Sequence, residues 1–338
     1  MAENLGTPPR PAIIVPGFGV TRLFDPVTRR YVWGTGRATF QTHYEDDLDL
    51  PVGGHDRLIP LGYVGSRGPI NIGWQLTEGL RKFGRYTPDR DVFPFYYDWR
   101  LSARDNAAKL GELVDRVRGD GKVDIITHSA GAIIALTYVK LGAGASTVDH
   151  LVLVSPTQRG VVDAFRVVVK PERFIRRTFT AEMVETWPFV AELMPEDGRF
   201  LVDEDGRPIE RDLWTAEGWK GIRRVIPQQL VRARQFRNEL KSHRMPPGVH
   251  ASVIAGDCVA TARRVLMRRD GTFAFYPSEL SPSEYKLEPL LFEPGDGTVP
   301  ISSAEAGPDA MIVCDGHQGI AADPTVHRAI IRTLRQQP

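Results

Sequence analysis

The segment VDIITHSAGAII, residues 123–134, constrains the fold of this chain more than any other. Residues 123–127 are mostly β-branched and apolar, which predicts a short buried strand. A His-Ser-Ala-Gly turn follows, and the alanine- and isoleucine-rich residues after it predict a helix that runs to about Lys140. Because a strand, a tight turn and a helix make up most of a βαβ unit, this segment predicts a sheet with parallel strands.

The same alternation of strands and helices extends from residue 12 to residue 155. Ser102 is the predicted N-cap of one helix, since Asp105 lies three residues later. The alternation predicts an α/β fold with a mostly parallel sheet flanked by helices, whose functional loops follow the carboxyl ends of the strands. The remaining predicted strands are residues 12–15, 91–99 and 150–155, a further helix is predicted at residues 74–83, and residues 20–69 predict long loops with a small hairpin.

The 338 residues suffice for one large α/β domain that carries an insertion. Residues 157–247 are rich in Arg, Trp and Pro and break the alternation, apart from a helical patch at residues 181–193. We therefore predict a first part of the core at residues 11–156, an inserted cap or lid at 157–247 and a second part of the core at 248–336. The second part has a predicted strand at residues 249–256, a hairpin around residues 270–271, a final strand and loop at residues 310–317 and a closing helix at 325–334.

Charge and composition exclude several classes of function. Lys plus Arg is 43 and Asp plus Glu is 42, so no basic excess points to nucleic acid. No apolar run approaches the roughly 20 residues of a membrane-spanning helix. The N-terminal residues do not resemble a secretory signal, and a cytoplasmic location is expected. Cys258 and Cys314 lack metal-ligand spacing, so we expect no metal site, no disulfide framework and a reducing compartment.

Ser129 is the candidate nucleophile, in the sequence Thr127-His128-Ser129-Ala130-Gly131. A serine hydroxyl attacks poorly until a base takes its proton, and a nucleophile elbow holds the serine on a sharp strand-to-helix turn. Such a turn needs small residues two positions either side. Gly131 meets this requirement, whereas Thr127 is bulkier than the usual glycine. The alternative is an ordinary strand-to-helix turn in which Ser129 serves as a helix N-cap.

An acid and a base should follow the serine in the order Asp or Glu, then His. Asp296 lies in the loop EPGDGTVP, and His317 lies just after a predicted strand in VCDGHQG. Asp257 also follows a predicted strand and is the alternative acid. Of the other histidines, His128 is expected to pack beneath the turn, and His327 is expected on the surface of the last helix.

Two backbone N–H groups should face the charge that develops during attack on a carbonyl. One is expected from Ala130, the residue after the nucleophile, and the other from Phe18 or Gly19 in the PGFG turn after the first strand. The alternative is that the glycines of this turn only permit a tight bend, and both interpretations are compatible.

The predicted cap contains the apolar segment ETWPFVAELMP. Its large side chains could line a groove for an acyl chain, although such stripes more often form the packed core of a cap. The candidate substrate-binding residues are Trp187, Phe189, Leu193 and Met194.

In this order, the motifs AIIVPGFG, FPFYYDWRLS, THSAG, GDGTVP and GHQGI resemble the lecithin:cholesterol acyltransferase family of α/β-hydrolases, and its bacterial members in particular. The resemblance extends from residue 12 to about residue 334 and implies an α/β-hydrolase fold with a cap. It also implies that Asp98 and Arg100 form a structural ion pair. The site roles that it implies are Ser129 as nucleophile, Asp296 as acid, His317 as base, and Phe18 or Gly19 with Ala130 as the oxyanion hole.

The expected function is therefore serine-dependent acyl transfer from an acyl ester or phospholipid through an acyl-enzyme, with no metal or organic cofactor. Water as acceptor would make the protein a lipase or phospholipase, and an alcohol would make it an acyltransferase. Transient contact of the cap with a membrane surface is expected. The alternative is a non-catalytic hydrolase-fold protein that binds a lipid or protein partner. Because no signal peptide or disulfide-tied lid is predicted, the plasma-sterol chemistry of the secreted family member is not expected.

Overall fold

The structure of the protein is a computed structural model that describes residues 10–35, 48–50, 57–65, 73–170, 172–174, 177–223 and 225–335. Its strands are β1 (Ala12–Val15), β2 (Thr21–Asp25), β3 (Arg30–Trp33), β4 (Ile59–Tyr63), β5 (Val92–Pro94), β6 (Val123–His128), β7 (Val148–Val154), β8 (Glu172–Phe174), β9 (Arg177–Phe179), β10 (Leu201–Val202), β11 (His250–Gly256), β12 (Val259–Ala262), β13 (Val265–Met267), β14 (Phe273–Ala274), β15 (Phe292–Gly295) and β16 (Met311–Val313).

Its α-helices are α1 (Gln75–Gly84), α2 (Ala103–Val117), α3 (Gly131–Leu141), α4 (Gly144–Thr147), α5 (Val162–Val169), α6 (Ala181–Glu185), α7 (Pro188–Glu192), α8 (Pro227–Ser242), α9 (Glu288–Leu291) and α10 (Pro324–Arg335). Short 3₁₀ helices lie at Glu217–Trp219, Pro277–Glu279 and Tyr285–Leu287.

The central sheet has the strand order β16-β11-β7-β6-β1-β5, and every neighbouring pair is parallel. Successive residues of β1 face opposite sides of this sheet. Ile13 and Val15 join the hydrophobic cluster that includes α2 and α3, whereas Ile14 joins the cluster that includes α1 and α10. Helices thus cover both faces, which confirms the predicted α/β architecture.

Local signals account for the helix boundaries around the sheet. The Ser102 hydroxyl accepts a hydrogen bond from the N–H of Asp105 at 3.1 Å, which caps the start of α2 as predicted. In α10, Val326, Ile330 and Leu334 recur every four residues and are buried. A helix with this spacing presents one apolar stripe to the sheet.

Antiparallel strands lie outside the central sheet. Strands β3, β2 and β4 form one small sheet within the region predicted as loops and a hairpin. Residues 36–47, 51–56 and 66–69 of that region lie outside the described residues. Strands β13 and β14 pair antiparallel around the predicted turn at residues 270–271, which confirms that hairpin.

The helical patch predicted at residues 181–193 is two helices instead of one. Helix α6 ends at Glu185 and α7 begins at Pro188. Proline has no N–H to donate, and it forces the preceding residue out of the helical conformation. Trp187 accordingly has an extended backbone, with φ −93° and ψ 104°. The proline therefore ends one helix and starts the next.

Cys258 and Cys314 form a disulfide, so the expectation that the chain has no disulfide framework was wrong. Strands β11 and β16 are parallel neighbours, with Gly256 opposite Val313. The two cysteines follow these strands at the same edge of the sheet, and their Cα atoms are 5.0 Å apart. Only the sheet topology brings together two cysteines that are 56 residues apart in the chain.

Within the described part of the chain, no helix combines the length and apolarity that crossing a membrane requires.

Candidate active site

Ser129 lies on a sharp turn between β6 and α3 at the carboxyl edge of the sheet. Its backbone has φ +56°, a left-handed conformation that non-glycine residues rarely adopt. Its N–H donates to the carbonyl oxygen of Val154 at 2.9 Å. At Gly131 a Cβ atom would lie 2.5 Å from the carbonyl oxygens of Val15 and Pro16, so only glycine fits. Thr127 is fully buried, and the turn accommodates its larger side chain.

Ser129, His317 and Asp296 form one continuous chain of hydrogen bonds. The Nε2 atom of His317 lies 2.9 Å from Ser129 Oγ, and its Nδ1 atom lies 2.8 Å from Asp296 Oδ2. Since a carboxylate only accepts, Nδ1 of His317 carries a proton. Nε2 of the neutral ring is then free to accept the serine proton. The chain of contacts joins residues separated by as many as 188 positions in sequence.

The Asp296 carboxylate is buried and surrounded by donors. Its Oδ1 atom accepts from the N–H groups of Thr298 and Val299 at 2.9 and 2.7 Å. Burial alone raises the pKa of this carboxyl, but the hydrogen bond from His317 and these backbone donors together bring it below its ordinary value. Asp296 is therefore an ionised partner for the imidazole at neutral pH. The alternative acid, Asp257, is exposed.

The predicted oxyanion donors lie beside the nucleophile. A Cβ atom placed on Gly17 would be 3.0 Å from Ser129 Cβ, so the PGFG turn passes directly against the serine. Within the described residues, nothing accepts a hydrogen bond from the N–H groups of Phe18, Gly19 or Ala130. These donors remain available to an oxygen atom next to Ser129.

The aromatic ring of Phe18 connects this turn to the predicted cap. Its centroid lies 4.9 Å from that of Trp99, 6.1 Å from that of Trp187 and 6.5 Å from that of Phe189. The four residues predicted to line a groove are all buried in the main hydrophobic cluster. They are Trp187, Phe189, Leu193 and Met194. In this structure these side chains pack against one another, and their role in substrate binding stays a prediction.

An open cavity of about 350 Å³ lies between the cap and the chain that follows Asp296. Its lining combines charged and small polar side chains, including Arg159, Lys241 and Ser303. None of its lining residues belongs to the hydrogen-bonded chain at Ser129. This cavity is therefore separate from the candidate active site.

Asp98 and Arg100 form the ion pair that the resemblance implied. The guanidinium of Arg100 donates from Nε to Asp98 Oδ1 at 3.0 Å and from Nη2 to Oδ2 at 2.7 Å. Both side chains are buried, and Arg100 Nη1 also donates to the carbonyl oxygen of Leu48. The pair thereby connects residues 98–100 to the main chain at Leu48, and among the described residues no hydrogen bond joins it to Ser129.

A cluster of possible metal ligands lies at the opposite end of the sheet from Ser129. Asp124, Asp149 and His150 offer ligand atoms within 4.8 Å of one another. The Arg10 guanidinium lies 2.9 Å from Asp149 and 3.8 Å from Asp124, and Lys122 lies 3.7 Å from Asp149. These cations already balance the two carboxylates, so we assign no metal to this cluster.

Three features of the site region were missed by the sequence analysis. The disulfide joins the loop before His317 to the start of β12, next to the chain that carries Asp296. The imidazole of His128 contacts His317. The buried carboxyl of Glu192, at the end of α7, accepts from the N–H of Ala103 at 2.7 Å. The signal available for the disulfide was that both cysteines follow predicted parallel strands.

The parallel sheet flanked by helices and the serine on its sharp turn at the carboxyl edge define a protein of the α/β-hydrolase fold. The comparison with the Tle4–Tli4 complex agrees at the level of the fold. A chain in the crystal structure of the Tle4–Tli4 complex superposes with a TM-score of 0.64 at 15% identity, covering 98% of this chain and 99% of that one. The mature Bacillus licheniformis lipase BlEst2 has a TM-score of 0.48 at 13% identity, covering 99% and 95% of the two chains.

Sequence comparison adds little to this. No family model matches the chain. The uncharacterized protein YJR098C of Saccharomyces cerevisiae is 27% identical over an alignment of 135 residues, and the match covers 36% of this chain. The match spans only 20% of the yeast protein.

Proposed function

We propose that this protein is a serine-dependent enzyme that cleaves or transfers the acyl group of lipid-like esters. The single observation that supports this proposal is the hydrogen-bonded sequence from Asp296 through His317 to Ser129. These three residue types in this arrangement convert a serine hydroxyl into a nucleophile, since the imidazole takes its proton and the carboxylate stabilises the resulting cation.

The proposed reaction begins when Ser129 Oγ attacks the ester carbonyl and transfers its proton to Nε2 of His317. The carbonyl oxygen becomes an oxyanion opposite the N–H of Ala130 and that of Phe18 or Gly19. His317 then gives the proton to the leaving alcohol, and an acyl-serine remains. Water or a second alcohol then gives its proton to His317 and attacks the acyl-serine carbonyl. The bond between the acyl group and Ser129 Oγ breaks, His317 returns the proton to Oγ, and the acid or a new ester is released.

The lipid-like character of the substrate is proposed from the apolar surroundings of the serine. The aromatic rings beside Phe18 would favour an acyl chain over a polar group, because burying apolar surface is favourable. The same apolar cap is the part of the protein that we propose to contact a membrane surface transiently. Exclusion of water by the cap would favour an alcohol as acceptor.

Labelling with a fluorophosphonate probe tests the proposal directly. The probe should form a covalent adduct with the wild-type protein at Ser129, as read by mass spectrometry of the tryptic peptide. The Ser129→Ala variant should remain unlabelled while its near-ultraviolet circular dichroism stays native. Absence of labelling in folded wild-type protein would contradict the proposal and would favour a non-catalytic binding protein.

Products should then be identified from mixed phospholipid and acylglycerol, with and without an added alcohol. Free fatty acid alone would assign a hydrolase, and an ester of the added alcohol would assign an acyltransferase. Ser129→Ala serves as the control for spontaneous hydrolysis.

A further inference from the structure

We infer that His128 is a positioning residue that holds the main chain of His317 where its imidazole can reach Ser129. This inference rests on the proposed function and concerns how His317 is held in position at the same site. His128 is the last residue of β6, so the sheet fixes its backbone directly beside the nucleophile.

The contact between the two histidines involves the main chain of one and the ring of the other. Nε2 of His128 lies 2.9 Å from the carbonyl oxygen of His317. Because a carbonyl oxygen only accepts, Nε2 of His128 donates and carries the proton of the neutral ring. The N–H of His317 donates to the carbonyl oxygen of Asp296 at 2.8 Å. Both main-chain polar groups of His317 are therefore tied, one to the acid loop and one to the sheet.

The two imidazole rings also lie against each other. Their centroids are 4.8 Å apart, and their planes are inclined by 34°. His128 is 4% exposed, and burial, with a further effect of the neighbouring His317, lowers its pKa to about 3. A neutral ring in this place adds no like charge when His317 becomes an imidazolium.

The His317 loop is also anchored by the hydrogen bonds of His317 to Asp296 and by a disulfide. The disulfide at Cys314 is three residues away in sequence. The hydrogen bond from His128 is thus the contact that joins the residue carrying the base to the residue preceding the nucleophile. A shift of about 1 Å in a reacting group can cost about 100-fold in rate, so this bond should matter for turnover.

The test compares His128→Leu, which removes the donor, with His128→Gln, whose amide N–H can take the place of Nε2. The matched control is His327→Leu. His327 is also buried, contrary to the surface position expected from the sequence, and its Nε2 lies 2.8 Å from the carbonyl oxygen of Ala321. The control therefore loses the same kind of bond away from Ser129.

We expect His128→Leu to lower kcat about 10- to 100-fold with KM little changed, and His128→Gln to stay within about threefold of wild type. His327→Leu should lower the melting temperature but leave kcat at the wild-type value. Wild-type kcat in His128→Leu, or an equal loss in His128→Gln, would overturn the inference. If the leucine variant does not fold, His128→Asn replaces it, because its amide is one methylene shorter and cannot reach the carbonyl.

A spectroscopic measurement separates positioning from general loosening. The proton between His317 Nδ1 and Asp296 should give a strongly deshielded ¹H resonance in wild type and His128→Gln. It should broaden or exchange faster in His128→Leu, and an unchanged resonance there would contradict the inference. A wild-type protein that shows neither turnover nor phosphonate labelling would contradict the proposed function itself, which is a distinguishable outcome.

Discussion

Ser129 has a backbone conformation that is costly for a serine, and its neighbours are arranged to hold it there. Such a conformation costs on the order of 1–3 kcal/mol per residue, and it persists only where the surrounding structure imposes it. Here the hydrogen bond from its own N–H to β7 and the glycine two residues later impose it. The elbow therefore depends on the turn itself and on the main chain of β1 and β7 beside it.

Gly131→Ala should prevent the elbow from closing. The new methyl group would lie 2.5 Å from two carbonyl oxygens of the main chain, which cannot move as a flexible side chain would. We expect a loss of more than about 2 kcal/mol in the free energy of unfolding, measured by urea denaturation. Gly307→Ala is the control, because a methyl group there meets nothing within 4 Å. Equal stability of the two variants would contradict this interpretation.

The identity of the acid is also decided by single residues. Asp296→Asn should lower kcat by about 10⁴-fold, because an amide cannot hold the imidazole in the required tautomer. Asp257→Asn should have kcat close to wild type, since its side chain is exposed. Esterase assays on both variants measure the difference. A larger loss in Asp257→Asn would assign the acid role to that residue instead.

At the scale of secondary-structure elements, Glu192 connects the cap to the core. It ends the short helix α7, and its carboxyl accepts a hydrogen bond at the start of α2. Burial raises the pKa of this carboxyl to about 8, so it is largely protonated at neutral pH. An acceptor at a helix N-terminus satisfies one of the N–H groups that the helix leaves unpaired.

The pH dependence of stability should therefore change in Glu192→Gln. Between pH 4.5, where the carboxyl of the unfolded chain loses its proton, and about pH 8, only the folded state keeps it. Unfolding releases a proton in this window, so this residue makes the wild type less stable as the pH rises, by up to about 1.4 kcal/mol per pH unit. A glutamine is neutral at every pH and removes this slope.

Urea denaturation of wild type and Glu192→Gln from pH 5 to pH 8 measures the effect. The stability of wild type relative to the variant should fall steadily with rising pH. Glu112→Gln, at an exposed position of α2, is the control. Parallel curves of stability against pH for wild type and Glu192→Gln would show that the pKa of Glu192 is the same in the folded and unfolded states. That result would contradict this prediction.

At the scale of the whole molecule, the disulfide closes a long segment of chain. It ties the carboxyl ends of β11 and β16 together and encloses the hairpins between them, together with Asp296. In the chain-entropy description, a crosslink over 56 positions stabilises the fold by about 4 kcal/mol. His317 lies just beyond the closed segment, so the crosslink also limits how far its loop can move from the acid.

The double variant Cys258→Ser, Cys314→Ser should lose about 2–4 kcal/mol in the free energy of unfolding. Its kcat should also fall, because the loop that carries His317 loses a restraint. Treatment of wild type with a thiol reductant should reproduce both effects and should have none on the double variant. Unchanged stability and turnover after reduction would contradict this role.

The cellular location stays a prediction. The sequence predicts a cytoplasmic location, whereas disulfides persist mainly in oxidising compartments. Rapid alkylation of cysteines in intact cells, followed by mass spectrometry, would show which state of Cys258 and Cys314 exists there. Alkylated cysteines would favour the cytoplasm, and protected cysteines would favour an oxidising compartment.

The amino-acid sequence by itself determined the features that depend on neighbouring residues. The alternation of strands and helices, the cap of α2 at Ser102 and the sharp turn at Ser129 follow from periodicity and turn chemistry, which act over a few positions. The same local pattern predicted one helical patch at residues 181–193. The proline in this segment ends one helix and starts another there.

Only the tertiary structure decided the contacts between distant parts of the chain. Which aspartate meets His317, how Cys258 finds Cys314, and why His128 faces a carbonyl 189 positions later all depend on which strands become neighbours in the sheet. Strand order is set by burial of the whole core, and no single position in the sequence indicates it. A parallel sheet gathers its loops at one edge, and this is where residues from remote parts of the sequence meet.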